Sequence, residues 1–401
     1  MLILFLIVFI DLVGFGVIIP LLPFFAEHYS ATPFMVGLLM ATYSLGQFIA
    51  APFWGRTSDR LGRRPILLIT LIGGSMSYVL LGFSNSLWML FAARALGGFM
   101  AGNISTAFAY IADITTPENR AKGMGVIGAA FGLGFIAGPA IGGIMAGPDP
   151  LHSNFQLPAL AAAGLSLTAF LMAFFMLKES LSEELRRSQS ENPRQKRTQQ
   201  FKNALGRPNV GLLILLSFMA TFVFAGMETT FAMWSERSFH WGPQQNGYLF
   251  AFIGILSAII QGGLVGRLVK RFGEANLIIQ GAVALALGML LIPFSGSLTV
   301  LLLAMVVIAY GFSVINPAMN SLISQQVGAG EQGGIMGVSR SATTMARVAG
   351  PVWAGMLFAM MGMNWPYFSG TALMIIVLAL SLKMAKAHPK MATPCPAANQ
   401  D

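Results

Sequence analysis

The 401-residue sequence has a single cysteine, Cys395, so no disulfide within the chain is available. Four histidines are scattered along it, and no Cys/His cluster has metal-ligand spacing. Charge is also scarce. Only 10% of residues are Asp, Glu, Lys or Arg, too few to cover the surface of a soluble protein of this length. No nucleophile–base pair, metal set or phosphate-cradling loop is visible, which argues against an enzyme and implies no cofactor. A net charge of +9 raises nucleic acid as a partner, but the basic residues sit in loops between apolar runs. That pattern is one of membrane topology, with no nucleic acid implied.

What fills the chain is apolar: 55% of residues are hydrophobic, in runs of about 20 or more, the length that crosses roughly 30 Å of hydrocarbon. Twelve spans follow: 2–25, 34–54, 65–84, 87–112, 123–146, 157–177, 210–234, 244–267, 275–294, 298–324, 334–360 and 366–384. Each must be helical, because lipid offers no partner to a bare amide or carbonyl. The fold class is therefore all-α integral membrane. A signal peptide is the competing reading of the first run. It lacks a basic leading segment, and Asp11 interrupts it, so it is read as a retained helix.

The 24 Lys and Arg residues orient the chain. With the amino terminus in the cytoplasm, only Arg237 falls outside, and Arg94, Arg340 and Arg347 lie within spans. All others fall on the cytoplasmic side, including Arg56, Arg60, Arg63 and Arg64 in one hairpin and Arg267, Lys270 and Arg271 in another. The bias predicts a multi-pass protein of the cell membrane with both termini cytoplasmic.

Residues 178–209 form the one long polar segment, read as a solvated linker with a helical extension around Ser182–Arg187. It separates residues 1–177, an amino-terminal six-helix bundle, from 210–384, a carboxy-terminal one. Residues 385–401, rich in Pro and Ala, read as a disordered tail. The halves repeat. The hairpin Gly55-Arg-Thr-Ser-Asp59-Arg60-Leu-Gly62-Arg63-Arg64 has a weaker copy at Gly266-Arg-Leu-Val-Lys270-Arg-Phe-Gly273. Gly125-Val126, Ala137-Gly138-Pro139 and Gly143 recur at one offset as Gly337-Val338, Ala349-Gly350-Pro351 and Gly355. Parallel six-helix repeats are a transporter plan, with the substrate site between them near the midplane.

Over nearly its whole length the chain resembles the major facilitator superfamily. The Gly55–Arg64 hairpin carries the match, with Arg94-Ala-Leu-Gly97-Gly98 in the fourth span and Gly134-Phe-Ile-Ala-Gly138-Pro139-Ala-Ile-Gly142-Gly143 in the fifth. The last is similar to the signature of the drug:proton antiporter branch. The opening Asp11-Leu-Val-Gly14-Phe-Gly16 with Pro20 and Pro23, and Tyr43-Ser-Leu-Gly46-Gln47, add to a likeness to the tetracycline-resistance exporters. The resemblance implies proton-coupled efflux by alternating access. It implies a small-molecule substrate, protons and the bilayer as partners, and a monomer. Two acids of the exporter pattern are missing: the third-span position is Ser77, and Asn276–Pro293 of the ninth span contains none. A symporter or facilitator for an organic anion is the alternative, since Arg94, Arg340 and Arg347 outnumber Asp11 and Glu228 within the spans.

Asp11, about ten residues into the first span, is costly as an unpaired carboxylate. It is read either as a proton carrier or as the structural partner of a buried arginine. The resemblance gives Arg94 a role in proton coupling, where a fixed cation would stabilise the ionised form of a nearby acid. Glu228 either lines the substrate cavity or snorkels to the interface. Arg340 and Arg347, seven residues apart, share one helix face. Gln47 and Asn316 complete the cavity candidates. Gly55, Asp59, Arg60, Gly62 and Arg63 are read as a cytoplasmic gate, and the resemblance pairs Arg63 with Asp113 and sets Asp59 against the eleventh helix. Gly134, Gly138, Pro139, Gly142 and Gly143 form a small-residue packing face.

Overall fold

The computed structural model describes residues 1–116, 119–181, 206–328 and 331–387. The proposed extension at Ser182–Arg187 and most of the tail lie outside the described residues. Those described are helical, with no strand. Ten helices are long and apolar enough to cross a membrane, and an eleventh span is the pair Leu2–Ile18 and Leu22–His28, bent by 41°. The bend falls where Pro20 and Pro23 withhold two amide donors. The remaining span, the eleventh in chain order, is Gln332–Met361, long enough to cross at 30 residues but outside the apolar set. Arg340 and Arg347 lower its hydropathy, so charge hides a span that length reveals.

Three more departures from a simple rod have local causes. The fourth span runs Leu87–Met100, tightens into a 3-10 turn at Ala101–Asn103 and resumes at Ile104–Ile114. The Asn103 amide there donates to the Thr70 hydroxyl of the third span at 3.0 Å. The eighth span, Pro243–Phe272, widens into a π turn at Ile260–Leu264, which contains Gly262 and Gly263. The ninth, Glu274–Leu291, closes with a 3-10 turn at Ile292–Phe294.

By packing, the chain divides into two compact units. One combines Met1–Arg194 with Thr229–Gly254, and the other combines Gln195–Glu228 with Ile255–Asp401. In the first unit the first span lies against the fifth (Arg120–Ala146) and sixth (Gln156–Met176). The second (Pro33–Leu61) lies against the fourth, and the third (Arg63–Gly82) against the fourth and sixth. In the second unit the ninth span packs on the tenth (Leu298–Gln325) and twelfth (Trp365–Ala387).

The sequence repeat is also a repeat of local geometry. Gly62 ends the second span and opens the third at φ 109°, and Gly273 ends the eighth and opens the ninth at φ 78°. Both angles are in the left-handed region, where a Cβ is strained. Gly138 of the fifth span backs onto Gly16 of the first, and its counterpart Gly350 of the eleventh backs onto the Phe222 carbonyl of the seventh, Pro208–Phe239. One close approach is built twice, once in each unit.

Candidate functional site

The polar interior of the first unit is built by five spans. Asp11 is half-buried in the first, and its Oδ1 accepts from the Ser166 hydroxyl of the sixth at 3.2 Å. The same hydroxyl lies 3.1 Å from the Leu71 carbonyl of the third. Arg94 of the fourth span is buried at 5% exposure, with its guanidinium 4.2 Å from the ring centroid of Tyr43 in the second. No carboxylate pairs with Arg94 among the described residues, and its Nε has no hydrogen-bond partner. Tyr43 and Tyr78 are electrostatic neighbours of both Asp11 and Arg94. Arg94 therefore does not form the direct ion pair with Asp11 that one reading of the sequence allowed, and its cation rests on an aromatic face instead. Sequence reasoning did not single out Ser166 or Tyr78. One small hydroxyl among Ala and Leu carries no signal until the helices are packed.

In the second unit Glu228 and Arg347 meet at 3.7 Å, the carboxylate largely buried and the guanidinium more open. Arg340, two turns away, is exposed. Asn316 bonds back to the Phe312 carbonyl of its own helix at 3.5 Å, and Gln47 donates to the Ala101 carbonyl at 3.3 Å. Both amides are engaged with backbone and only half-buried, so each also presents surface.

The Gly55–Arg64 hairpin is a network centred on Arg63, which is 2% exposed. Its Nη1 donates to Ser58 Oγ at 2.7 Å and to Asp59 Oδ1 at 2.5 Å, and its Nε donates to Asp113 Oδ2 at 3.1 Å. Ser180 adds a hydroxyl to Asp113 at 3.1 Å. Glu179 caps the third span: its carboxylate accepts from the Arg63 amide at 2.8 Å and the Arg64 amide at 3.2 Å. These donors have no partner within their own helix. Any side chain at Gly62 would overlap that carboxylate. Glu179 and Ser180 also escaped the sequence reading, which placed them in a solvated linker. Gly55 is loosely packed, its missing Cβ 3.8 Å from Ser105 Oγ. Arg60 lines a groove of about 420 Å³ with Ile49, Pro52, Phe53, Arg56 and Thr57.

Replacing Arg63 by Ala would leave Asp59 and Asp113 without their cation, and breaking a buried pair costs about 3–5 kcal/mol. A thermal melt in detergent is expected to fall sharply for Arg63→Ala and less for Arg63→Lys. An unchanged melt would contradict the network.

The small-residue face of the fifth span meets two neighbours. A Cβ on Gly134 would lie 2.8 Å from Leu12 Cβ, and one on Gly142 would overlap the Val17 carbonyl, both in the first span. Gly143 faces the start of the eighth span, where its Cβ would come within 2.8 Å of the Pro243 carbonyl. Gly247 in turn abuts the Pro139 carbonyl. At the far end of the unit from that hairpin Arg237 pairs with Glu27 at 3.2 Å. The one cation expected outside thus has an acidic partner.

A family model described as Major Facilitator Superfamily matches residues 4–351 and 263–394. The chain belongs to this superfamily. Its fold is two pseudo-symmetric six-helix bundles, twelve membrane-spanning helices in all. Relatives span the full length. The tetracycline resistance protein, class C, of Escherichia coli is 33% identical over 377 residues, covering 92% of this chain and 93% of that protein. Multidrug resistance protein 2 of Bacillus subtilis (strain 168) is 31% identical over 381 residues, covering 94% and 92%. Among solved structures, the human organic anion transporter MFSD10 (TETRAN) is 28% identical, with a TM-score of 0.71, covering 94% of this chain and 98% of that one. As a major facilitator, this protein is a multi-pass membrane transporter of small molecules.

Proposed function

We propose that this transporter exports small amphipathic compounds in exchange for protons, by alternating access, as a monomer of the cell membrane with both termini cytoplasmic, and that it is not an enzyme. The observation carrying this reading is Asp11: a half-buried carboxylate inside the spans with one neutral hydroxyl as its hydrogen-bond partner. At that depth the cheaper state of a carboxyl without a cation is the protonated one. Proton loading therefore removes a charge from the interior, and release restores it. Arg94 acts at longer range through Tyr43 and Tyr78, favouring the ionised form when the proton leaves. Glu228, Arg347, Arg340, Gln47 and Asn316 supply polar contacts for substrate. The Arg63 network, with Gly55, Asp59, Arg60, Gly62 and Asp113, gates the cytoplasmic side. Gly134, Gly138, Pro139, Gly142 and Gly143 keep the fifth span tight enough to exclude water. Full-length likeness to proteins named for tetracycline and multidrug resistance supports export as the direction.

A second reading, carriage of an organic anion, draws on Arg94, whose buried cation has no carboxylate partner among the described residues, and on the likeness to MFSD10.

Expression in a drug-sensitive host tests the first reading. Cells carrying the transporter are expected to accumulate less tetracycline or ethidium than control cells, and a protonophore is expected to erase the difference. Equal accumulation across a broad panel of toxic amphiphiles, or a difference insensitive to the protonophore, would count against it.

A further inference from the structure

Asp11 is not the only group that responds to its proton. The Ser166 side chain is fully buried, and its one hydroxyl proton faces two acceptors, Asp11 Oδ1 at 3.2 Å and the Leu71 carbonyl at 3.1 Å. It can serve only one of them at a time. When Asp11 is ionised, the charged acceptor is the stronger of the two, and the hydroxyl turns toward it. When Asp11 is protonated, the carboxyl itself becomes a donor to Ser166 Oγ, and the Ser166 hydrogen is freed for Leu71. The hydrogen bonds then run in a continuous chain from the first span through the sixth to the third.

We infer that Ser166 is a positioning residue for proton coupling, a hydroxyl switch that sets how tightly Asp11 holds its proton and passes its protonation state to the third span. This inference rests on the assignment of Asp11 as the proton carrier. The geometry around the switch is simple. The third span brings Tyr78, the second Tyr43 and the fourth Arg94 into electrostatic range of the Asp11 region. The fifth and sixth spans bring no ionisable side chain between Gly123 and Ala146 or between Gln156 and Met176. Ser166 is thus the one group that bonds directly to the carboxyl among the described residues. The third span is in close register with it: a Cβ on Gly74 would stand 3.4 Å from Ser166 Oγ, and Ser75 bonds one turn away to the Ala163 carbonyl at 2.9 Å.

The test needs no known substrate. Infrared titration of the purified full-length protein in lipid reads the protonated-carboxyl band that Asp11→Asn removes. Ser166→Ala removes that hydrogen bond from the ionised form of Asp11 and should move the midpoint of the band by about one to two pH units toward alkaline. Ser166→Thr keeps the hydroxyl and should keep the wild-type midpoint, which also separates the switch from a general packing defect. Proton-driven transport, measured across pH for the same variants, should shift in parallel. An Asp11 band whose midpoint is the same in Ser166→Ala would overturn the switch and leave the proton carrier standing. Absence of any band lost in Asp11→Asn would overturn both.

Discussion

Asp11→Asn is expected to abolish proton-driven export. The amide has nearly the carboxyl's shape and still accepts from Ser166, which is 3.2 Å away in the wild type, so the first span keeps its packing. It cannot ionise, so the interior charge that must be neutralised before each outward-to-inward return is gone. Uphill transport under an imposed pH gradient should fall to the level of vesicles without protein. Exchange of labelled for unlabelled substrate, which needs no net proton movement, should continue. Proteoliposomes loaded with tetracycline or ethidium report both rates. Proton-driven transport that survives the substitution would remove Asp11 from the mechanism, and loss of exchange as well would point to misfolding.

The second large effect concerns how closely the first and fifth spans approach. A Cβ on Gly138 would lie 2.6 Å from Gly16 Cα and 2.8 Å from the Val13 carbonyl oxygen. Both obstacles are backbone, so no rotamer change relieves the overlap. Gly138→Val should therefore cost at least the roughly 3 kcal/mol at the upper end of ordinary overpacking, because two long helices must move apart. Their separation would also loosen the Leu12–Gly134 and Val17–Gly142 contacts along the same seam. The expected result is a large fall in folded yield and in the detergent melting midpoint. Gly128 on the same helix is the control, since a Cβ there meets nothing within 4 Å. Gly128→Ala should be neutral, or stabilising by up to about 1 kcal/mol through helix propensity. Equal effects at the two positions would mean that the small-residue face is not what brings these helices together.

The membrane class, the repeat and the helix boundaries were legible in the sequence because each rests on local information. Apolar runs reveal spans, and a repeated Gly-Pro pattern reveals duplication. The Arg63–Asp113 contact was reachable only through family resemblance, since its partners are fifty residues apart. Contacts that lack both local pattern and family motif stayed hidden. Ser166 touches Asp11 across 155 residues, and Arg237 touches Glu27 across 210. Glu179 lay in a stretch whose composition reads as linker, yet its carboxylate closes the start of the third span. The aromatic support of Arg94 was equally invisible, because a tyrosine in an apolar helix reads as packing. The eleventh span, drawn from its apolar run at 334–360, is the helix Gln332–Met361 despite its two arginines.

Substrate-driven proton movement is the most direct test of proton exchange through Asp11. Purified transporter is reconstituted into vesicles that trap a pH-sensitive dye and hold an acidic interior. Addition of tetracycline or ethidium outside should release protons from the lumen as substrate enters, in the wild type but not in Asp11→Asn. Substrate entry with no proton release, or release accompanied by substrate moving in the same direction as the protons, would contradict antiport.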